Sequence, residues 1–177
     1  MTRPGQSNAP AGATRSHTLV ISIFERPGAV DRVVGQLRRR RAHLHTLTIG
    51  RSADPEVARI TAGIDDSEVA VEQLIAQVRK IADVRQVVHL TTEGMVAREL
   101  ALIKVQSSAQ QVQAIIELGH QLGAHVADVA SETVTLEVTG SATSVEKLVE
   151  RLQPFGICEV ARTGSVAMSR GAEGGDA

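Results

Sequence analysis

The strongest constraint on this chain is internal repetition: one order of strand and helix signals runs through it twice. After His17, Leu19-Val20-Ile21-Ser22-Ile23-Phe24 is a strand-length run rich in β-branched residues, stopped by the turn signal Arg26-Pro27-Gly28. Val30, Val33, Val34 and Leu37 then follow the i, i+3, i+4, i+7 stripe of an amphipathic helix. His43 to Ile49 is extended and closed by Gly50, and Ser52-Ala53-Asp54-Pro55 is a turn. In the next strand Ala58, Ile60, Ala62 and Ile64 share one face, with Val57, Arg59, Thr61 and Gly63 on the other. Asp65-Asp66-Ser67-Glu68 supplies capping residues for a helix striped by Val71, Leu74, Ile75 and Val78. Val84 to Leu90 closes the unit, in the order βαββαβ.

From Arg98 the order starts again. Leu100 to Val105 is nearly continuously apolar, which predicts a strand buried on both sides. Ser107 with Gln110, and Thr143 with Glu146, are spaced as capping boxes ahead of two helices. Their stripes are Val112, Ile115, Ile116, Gly119 and Val145, Leu148, Val149, Leu152. Strands are expected over 124–130 and 133–139, and 157–167 closes the unit after Pro154-Phe155-Gly156. The fold class is α+β: two ferredoxin-like βαββαβ units, each an antiparallel sheet with its helices on one face. The boundaries are a disordered tail over 1–16, a first unit over 17–91, a linker over 92–97, a second unit over 98–170, and a disordered tail over 171–177. Neither end carries an apolar segment of the signal-peptide kind, and no apolar run is long enough for a membrane span, so the expected location is cytoplasmic.

Composition removes several function classes. Nineteen Lys and Arg balance twenty Asp and Glu, a formal net charge of -1, which argues against a phosphate-neutralising protein. Two Phe, with no Trp or Tyr, leave no stacking platform for single-stranded nucleic acid. The single cysteine, Cys158, sits between apolar neighbours and reads as a small buried hydrophobe. Arg38-Arg39-Arg40-Arg41 follows a helix stripe and reads as a solvated helix terminus. His43 and His45, two apart on a strand, have a spacing compatible with a metal, but no Cys, Asp or Glu adjoins them in sequence; no metal site is expected. There is no phosphate loop, no nucleophile elbow and no other catalytic constellation. What remains is Glu25-Arg26-Pro27-Gly28-Ala29, where a glycine between strand and helix permits close backbone approach to a ligand, and a helix N-terminus suits a carboxylate. On spacing alone the plain turn is the favoured reading.

Longer segments are more specific. His17-Thr18-Leu19, the run from Arg26 to Val33, Leu47-Thr48-Ile49-Gly50 and Ala58-Arg59-Ile60-Thr61 point the same way as Arg98-Glu99-Leu100-Ala101-Leu102-Ile103-Lys104-Val105 and the closing run from Glu159 to Gly171. Together they resemble the small regulatory subunits of acetolactate synthase, with the N-terminal half similar to an ACT domain, the amino-acid-sensing βαββαβ module. The resemblance implies a non-catalytic protein that dimerises through its ACT domains and activates a large subunit. Thiamine diphosphate, Mg and FAD would belong to that large subunit, with no cofactor here. It also implies feedback inhibition by valine on the route to valine, leucine and isoleucine, with no nucleic-acid or membrane partner. By position, the sensor residues are Ile23, Glu25, Gly28, Ala29, Asp31 and the partner subunit's His43. The family usually has Asp or Asn at Glu25 and a Gly-aromatic-Asn-Ile-Glu-Ser run where this chain has Arg41-Ala42-His43-Leu44-His45-Thr46, which implies an altered valine response. The alternative is a free-standing tandem ACT sensor acting on another partner.

Overall fold

The computed structural model describes residues 15–38, 43–90 and 94–171. They divide into two compact units, residues 15–94 with 169–171 and residues Met95–Met168. In the first, β1 (Arg15–Phe24), α1 (Ala29–Arg38), β2 (His43–Arg51), β3 (Val57–Asp66), α2 (Glu68–Val78) and β4 (Val84–Leu90) follow in the expected order. The sheet runs β2-β3-β1-β4 and every pairing is antiparallel. Ile21 of β1 lies opposite Ile60 of β3 and Val87 of β4, so one row of inward side chains crosses the sheet. Those residues join Leu19, Ile23, Ala62 and Ile64 in a core completed by Val33 and Leu37 of α1 and Val71, Leu74, Ile75 and Val78 of α2. Both helices therefore bury their stripes against one sheet face. Ser67 caps α2, its hydroxyl accepting from the Ala70 amide, an arrangement of about 1 kcal/mol.

The strand β1 starts at Arg15 rather than after the tail expected over 1–16. Because β3 runs on to Asp66, Arg15 and Ser16 find ladder partners in Asp66 and Asp65. Arg38 is exposed in the last turn of α1; Arg39, Arg40 and Arg41 lie outside the described residues, as do 1–14, 91–93 and 172–177.

The second unit repeats the pattern: β5 (Met95–Gln106), α3 (Val112–Gln121), β6 (Ala124–Val129), β7 (Thr133–Gly140), α4 (Ala142–Leu152), a 3₁₀ turn (Gln153–Phe155), β8 (Ile157–Arg162) and β9 (Val166–Ser169). Its main path, β6-β7-β5-β8, has the same order as the first sheet, and β9 pairs β5 in addition. The core gathers Ala101, Ile103, Val105, Val134, Leu136 and Val138 from the sheet with Ile115, Val145, Leu148 and Leu152 from the helices.

Five sequence expectations change here. The strand β5 is buried on one side only: Ala101, Ile103 and Val105 are inside, while Leu102 is 39% exposed, because both helices cover the same sheet face. It also begins at Met95, inside the expected 92–97 linker, since pairing with β9 extends its ladder. The closing segment 157–167 is two strands, broken by Gly164 at φ +78°. Both predicted capping boxes are displaced: Gln111 accepts from the amide and hydroxyl of Ser108, and Ser141 caps α4 by accepting from the Ser144 amide. Glu146 instead pairs with Arg162. Cys158 is exposed, because β8 lies at the end of the main sheet path with most of its side chains uncovered.

Candidate effector site

The loop between β1 and α1 is held by its backbone. The Phe24 amide donates to the Asp83 carbonyl at 2.9 Å, and the Glu25 amide to the Glu56 carbonyl at 2.8 Å. Gly28 then turns the chain at φ +76°, a conformation that costs any residue with a Cβ. A Cβ there would also lie 3.0 Å from a guanidinium nitrogen of Arg32. The helix starts at Ala29, whose amide already donates to the Arg26 carbonyl, and the Arg32 amide donates to Gly28. The donors left at this helix end, among the described residues, are the amides of Val30 and Asp31.

Charged groups brace the loop. Asp83, whose side chain is only 9% exposed, accepts from Arg32 Nε at 2.8 Å and pairs with a terminal nitrogen of Arg32 at 2.6 Å. Arg26 lies 3.9 Å from the same carboxylate and spreads over the Phe24 ring, 5.2 Å from its centroid.

Beside this loop opens a cavity of about 240 Å³, lined by Ile23, Phe24, Glu25, Arg26, Ala29, Val30, Ile49, Gly50, Arg51 and Ala58. It is smaller than the roughly 300–1,000 Å³ of sites for drug-sized ligands, which suits a metabolite of amino-acid size. One carboxylate (Glu25) and two guanidiniums (Arg26, Arg51) stand beside the apolar side chains of Ile23, Val30 and Ile49. That pairing of opposite charges with a hydrocarbon wall can hold a zwitterion with an aliphatic side chain.

Of the residues expected to sense an effector, Ile23, Glu25 and Ala29 line this cavity. Gly28 does not line it and acts through the turn. Asp31 is exposed on the first turn of α1, where a carboxylate complements the helix dipole. His43 is remote within its own chain: it pairs with Asp65, whereas Ile23 pairs with Ala58 at the other end of β3. Arg41 and Ala42 lie outside the described residues. Ile49 and Arg51 carry no local signal in the sequence; the antiparallel pairing of Arg51 with Ala58 brings them to Ile23, and only the β2–β3 register from the Asp54-Pro55 turn points to them. His43 and His45 do not form a paired ligand set. A bulge between Leu44 and Thr46 shifts the register, and His45 lies over Gly63, where a Cβ would meet Nε2 at 2.6 Å.

The second unit has a cavity at the equivalent loop, about 630 Å³, lined by Gln106, Ser107, Ser108, Gln111, Ser131, Glu132 and Phe155. Its frame copies the first: the Ser107 amide donates to the Glu132 carbonyl at 2.8 Å, as Glu25 does to Glu56. Its lining is polar, and the buried Ser107 Oγ has no hydrogen-bond partner among the described residues.

Comparison with known proteins covers both halves. Residues 98–171 match the family model described as the small subunit of acetolactate synthase, and residues 19–86 match the AHAS small subunit-like ACT domain. The chain is 36% identical over 160 residues to the acetolactate synthase small subunit of Mycobacterium bovis, covering 90% of this chain and 95% of that one. It is 35% identical over 156 residues to that of Bacillus subtilis, covering 88% and 91%. Among solved structures, the acetolactate synthase small subunit of Thermotoga maritima superposes with a TM-score of 0.82 at 30% identity, over 89% of this chain and 98% of that one. No helix among the described residues is long and apolar enough to cross a membrane.

Proposed function

The chain belongs to the family of acetolactate synthase small subunits, and from that premise we propose that it is the regulatory subunit of an acetolactate synthase, activating the large catalytic subunit and relaying feedback from branched-chain amino acids. The observation that carries the reading is similarity to proteins of that name through both units and nearly the whole length. The chain supplies no cofactor chemistry in this reading; thiamine diphosphate, Mg and FAD belong to the large subunit.

We infer that the effector is valine or a close relative, held in the cavity beside Glu25. Its ammonium meets Glu25, and its carboxylate meets the Val30 and Asp31 amides together with Arg26. Its aliphatic side chain lies against Ile23, Val30 and Ile49, lining residues of that cavity. In a homodimer formed through the first units, the partner subunit's His43 completes the site. Glu25 reaches one methylene further than an aspartate and narrows a small cavity, so the response to valine is weaker than strong feedback inhibition. Binding at one protomer changes the activity of another protein only by favouring one of two conformers of the assembly.

Co-expression with the host's own large subunit tests this. Turnover of pyruvate to acetolactate is expected to rise with this chain present, and to fall on adding valine only at high concentration. No effect on turnover, and no association with the large subunit, would overturn the reading; strong inhibition at low valine would overturn the altered response alone.

A further inference from the structure

The first unit holds a cluster that the effector site does not use. His17 comes from β1 and His89 from β4, with Leu19 and His89 paired across the ladder. Glu68 and Glu72 stand four residues apart at the start of α2, directly after the Ser67 cap. This packing brings His17, Glu68 and His89 together so that one ligand atom of each lies within 4.8 Å of the others.

The ring nitrogens are sorted by their neighbours. His17 Nε2 lies 3.1 Å from the Asp66 carbonyl, which only accepts, so this nitrogen carries the proton and Nδ1 of the neutral ring presents a lone pair. His89 Nδ1 lies 3.7 Å from Glu72 Oε1, a carboxylate that favours a proton on that nitrogen. The lone pair of His89 Nε2 then faces His17 Nδ1 at 3.0 Å. Two facing lone pairs repel unless a proton or a metal cation sits between them. Glu68 Oε2, 3.9 Å from His17 Nδ1, adds a negative charge on the same side. Histidines that ligate metals commonly donate their second ring nitrogen to a backbone carbonyl or a carboxylate; here His17 Nε2 meets a carbonyl at 3.1 Å, and His89 Nδ1 faces a carboxylate at 3.7 Å.

We propose that His17 Nδ1, His89 Nε2 and Glu68 Oε2 form a site for a divalent transition metal of the zinc type, with Asp66 and Glu72 orienting the two rings. Zinc bonds of about 2.0–2.1 Å place tetrahedral ligand atoms roughly 3.3–3.4 Å apart; His17 Nδ1 stands 3.0 Å from His89 Nε2 and 3.9 Å from Glu68 Oε2, and all three atoms lie within 4.8 Å of one another. His17 is the inner wall, with 4% of its side chain exposed; Glu68, at 54%, leaves the outer side open for entry and for a water as fourth ligand. A bound ion would fasten β1 and the edge strand β4 to the start of α2. The proposal is independent of the regulatory reading.

The test is zinc titration of the full-length chain, followed by calorimetry and thermal unfolding, with cobalt(II) as a spectroscopic probe of ligand geometry. One ion per chain, a higher melting temperature and a tetrahedral cobalt spectrum are expected. His89→Gln and Glu68→Gln should each weaken zinc binding by at least about tenfold, and Glu72→Gln by a smaller factor. Glu68 is half exposed, so its variant tests the site without disturbing the core. The proposal fails if no zinc binds at micromolar concentration, or if binding is unchanged in both His89→Gln and Glu68→Gln. In the first case the histidine pair is only a neutral hydrogen bond; in the second the ion sits on other histidines.

Discussion

Arg32 directs two guanidinium nitrogens at one carboxylate oxygen of Asp83, at 2.8 and 2.6 Å, tying α1 to the turn that precedes β4. Asp83 is nearly buried and its own carbonyl accepts from Phe24, so the same residue fixes both ends of the candidate effector loop. Replacing Asp83 by Ala should cost about 1–2 kcal/mol, because a charge-assisted hydrogen bond worth roughly 1.5–3 kcal/mol is weakened by the half-exposed Arg32. It should also weaken effector binding through a looser loop. Denaturant unfolding beside effector titration checks both; an unchanged affinity would show that the brace serves stability alone.

Gly28 adopts φ +76° with Arg32 at contact distance from where a Cβ would be. Gly28→Ala is expected to destabilise by about 1–2 kcal/mol through backbone strain, and to reduce effector affinity by displacing Ala29. Thermal unfolding reads the first effect, calorimetry the second.

In the second unit Glu99 is 3% exposed and depends on Arg162, which also pairs with Glu146 at 2.9 Å. Burial alone would lower the Arg162 pKa; hydrogen bonds and charge from Glu99 and Glu146 outweigh it and raise the value above its ordinary one. Arg162→Met strands a buried carboxylate, a loss of about 3–5 kcal/mol in a closed site. Because Arg162 is about one-third exposed, the expected cost here is nearer about 2 kcal/mol. Adding Glu99→Leu should recover most of it, as a double-mutant cycle would register.

Ser107 Oγ is buried without a partner among the described residues. Ser107→Ala should therefore raise stability, by up to about 1 kcal/mol, measured as a higher denaturant midpoint. A loss instead would mean that the hydroxyl is satisfied by a bound molecule in solution.

Shortening Glu25 to Asp enlarges the candidate effector cavity by one methylene. One methylene of fit is worth about tenfold in affinity or more, so Glu25→Asp should lower the valine concentration needed for half inhibition of the holoenzyme. A rise would place the effector elsewhere.

The repeated sheet and helix order was legible because each inward residue obeys its own period: Val71, Leu74, Ile75 and Val78 are all buried. Local capping was less legible. Serine is common on both sides of these helix starts, and the hydrogen bond went to Ser108 and Ser141 instead of Ser107 and Thr143. Apolar content misled at Leu102, since a nearly apolar strand can still show one face, as Lys104 two residues on indicates. Ile23, Glu25 and Ala29 could be read as a group because they lie along one strand–loop–helix passage; Arg51 joins them only through the β2–β3 ladder. The His17–His89 contact was hidden for the same reason, spanning 72 residues of sequence.

The amide-to-carbonyl bonds Glu25–Glu56 and Ser107–Glu132 build one scaffold twice, and neither bond consults the side chains it carries. Selectivity in either half is thus interchangeable cargo. Transplanting the apolar and charged lining of the first loop onto positions 106–111 would be a redesign of chemistry with no redesign of backbone, and could give a single chain two independent inputs.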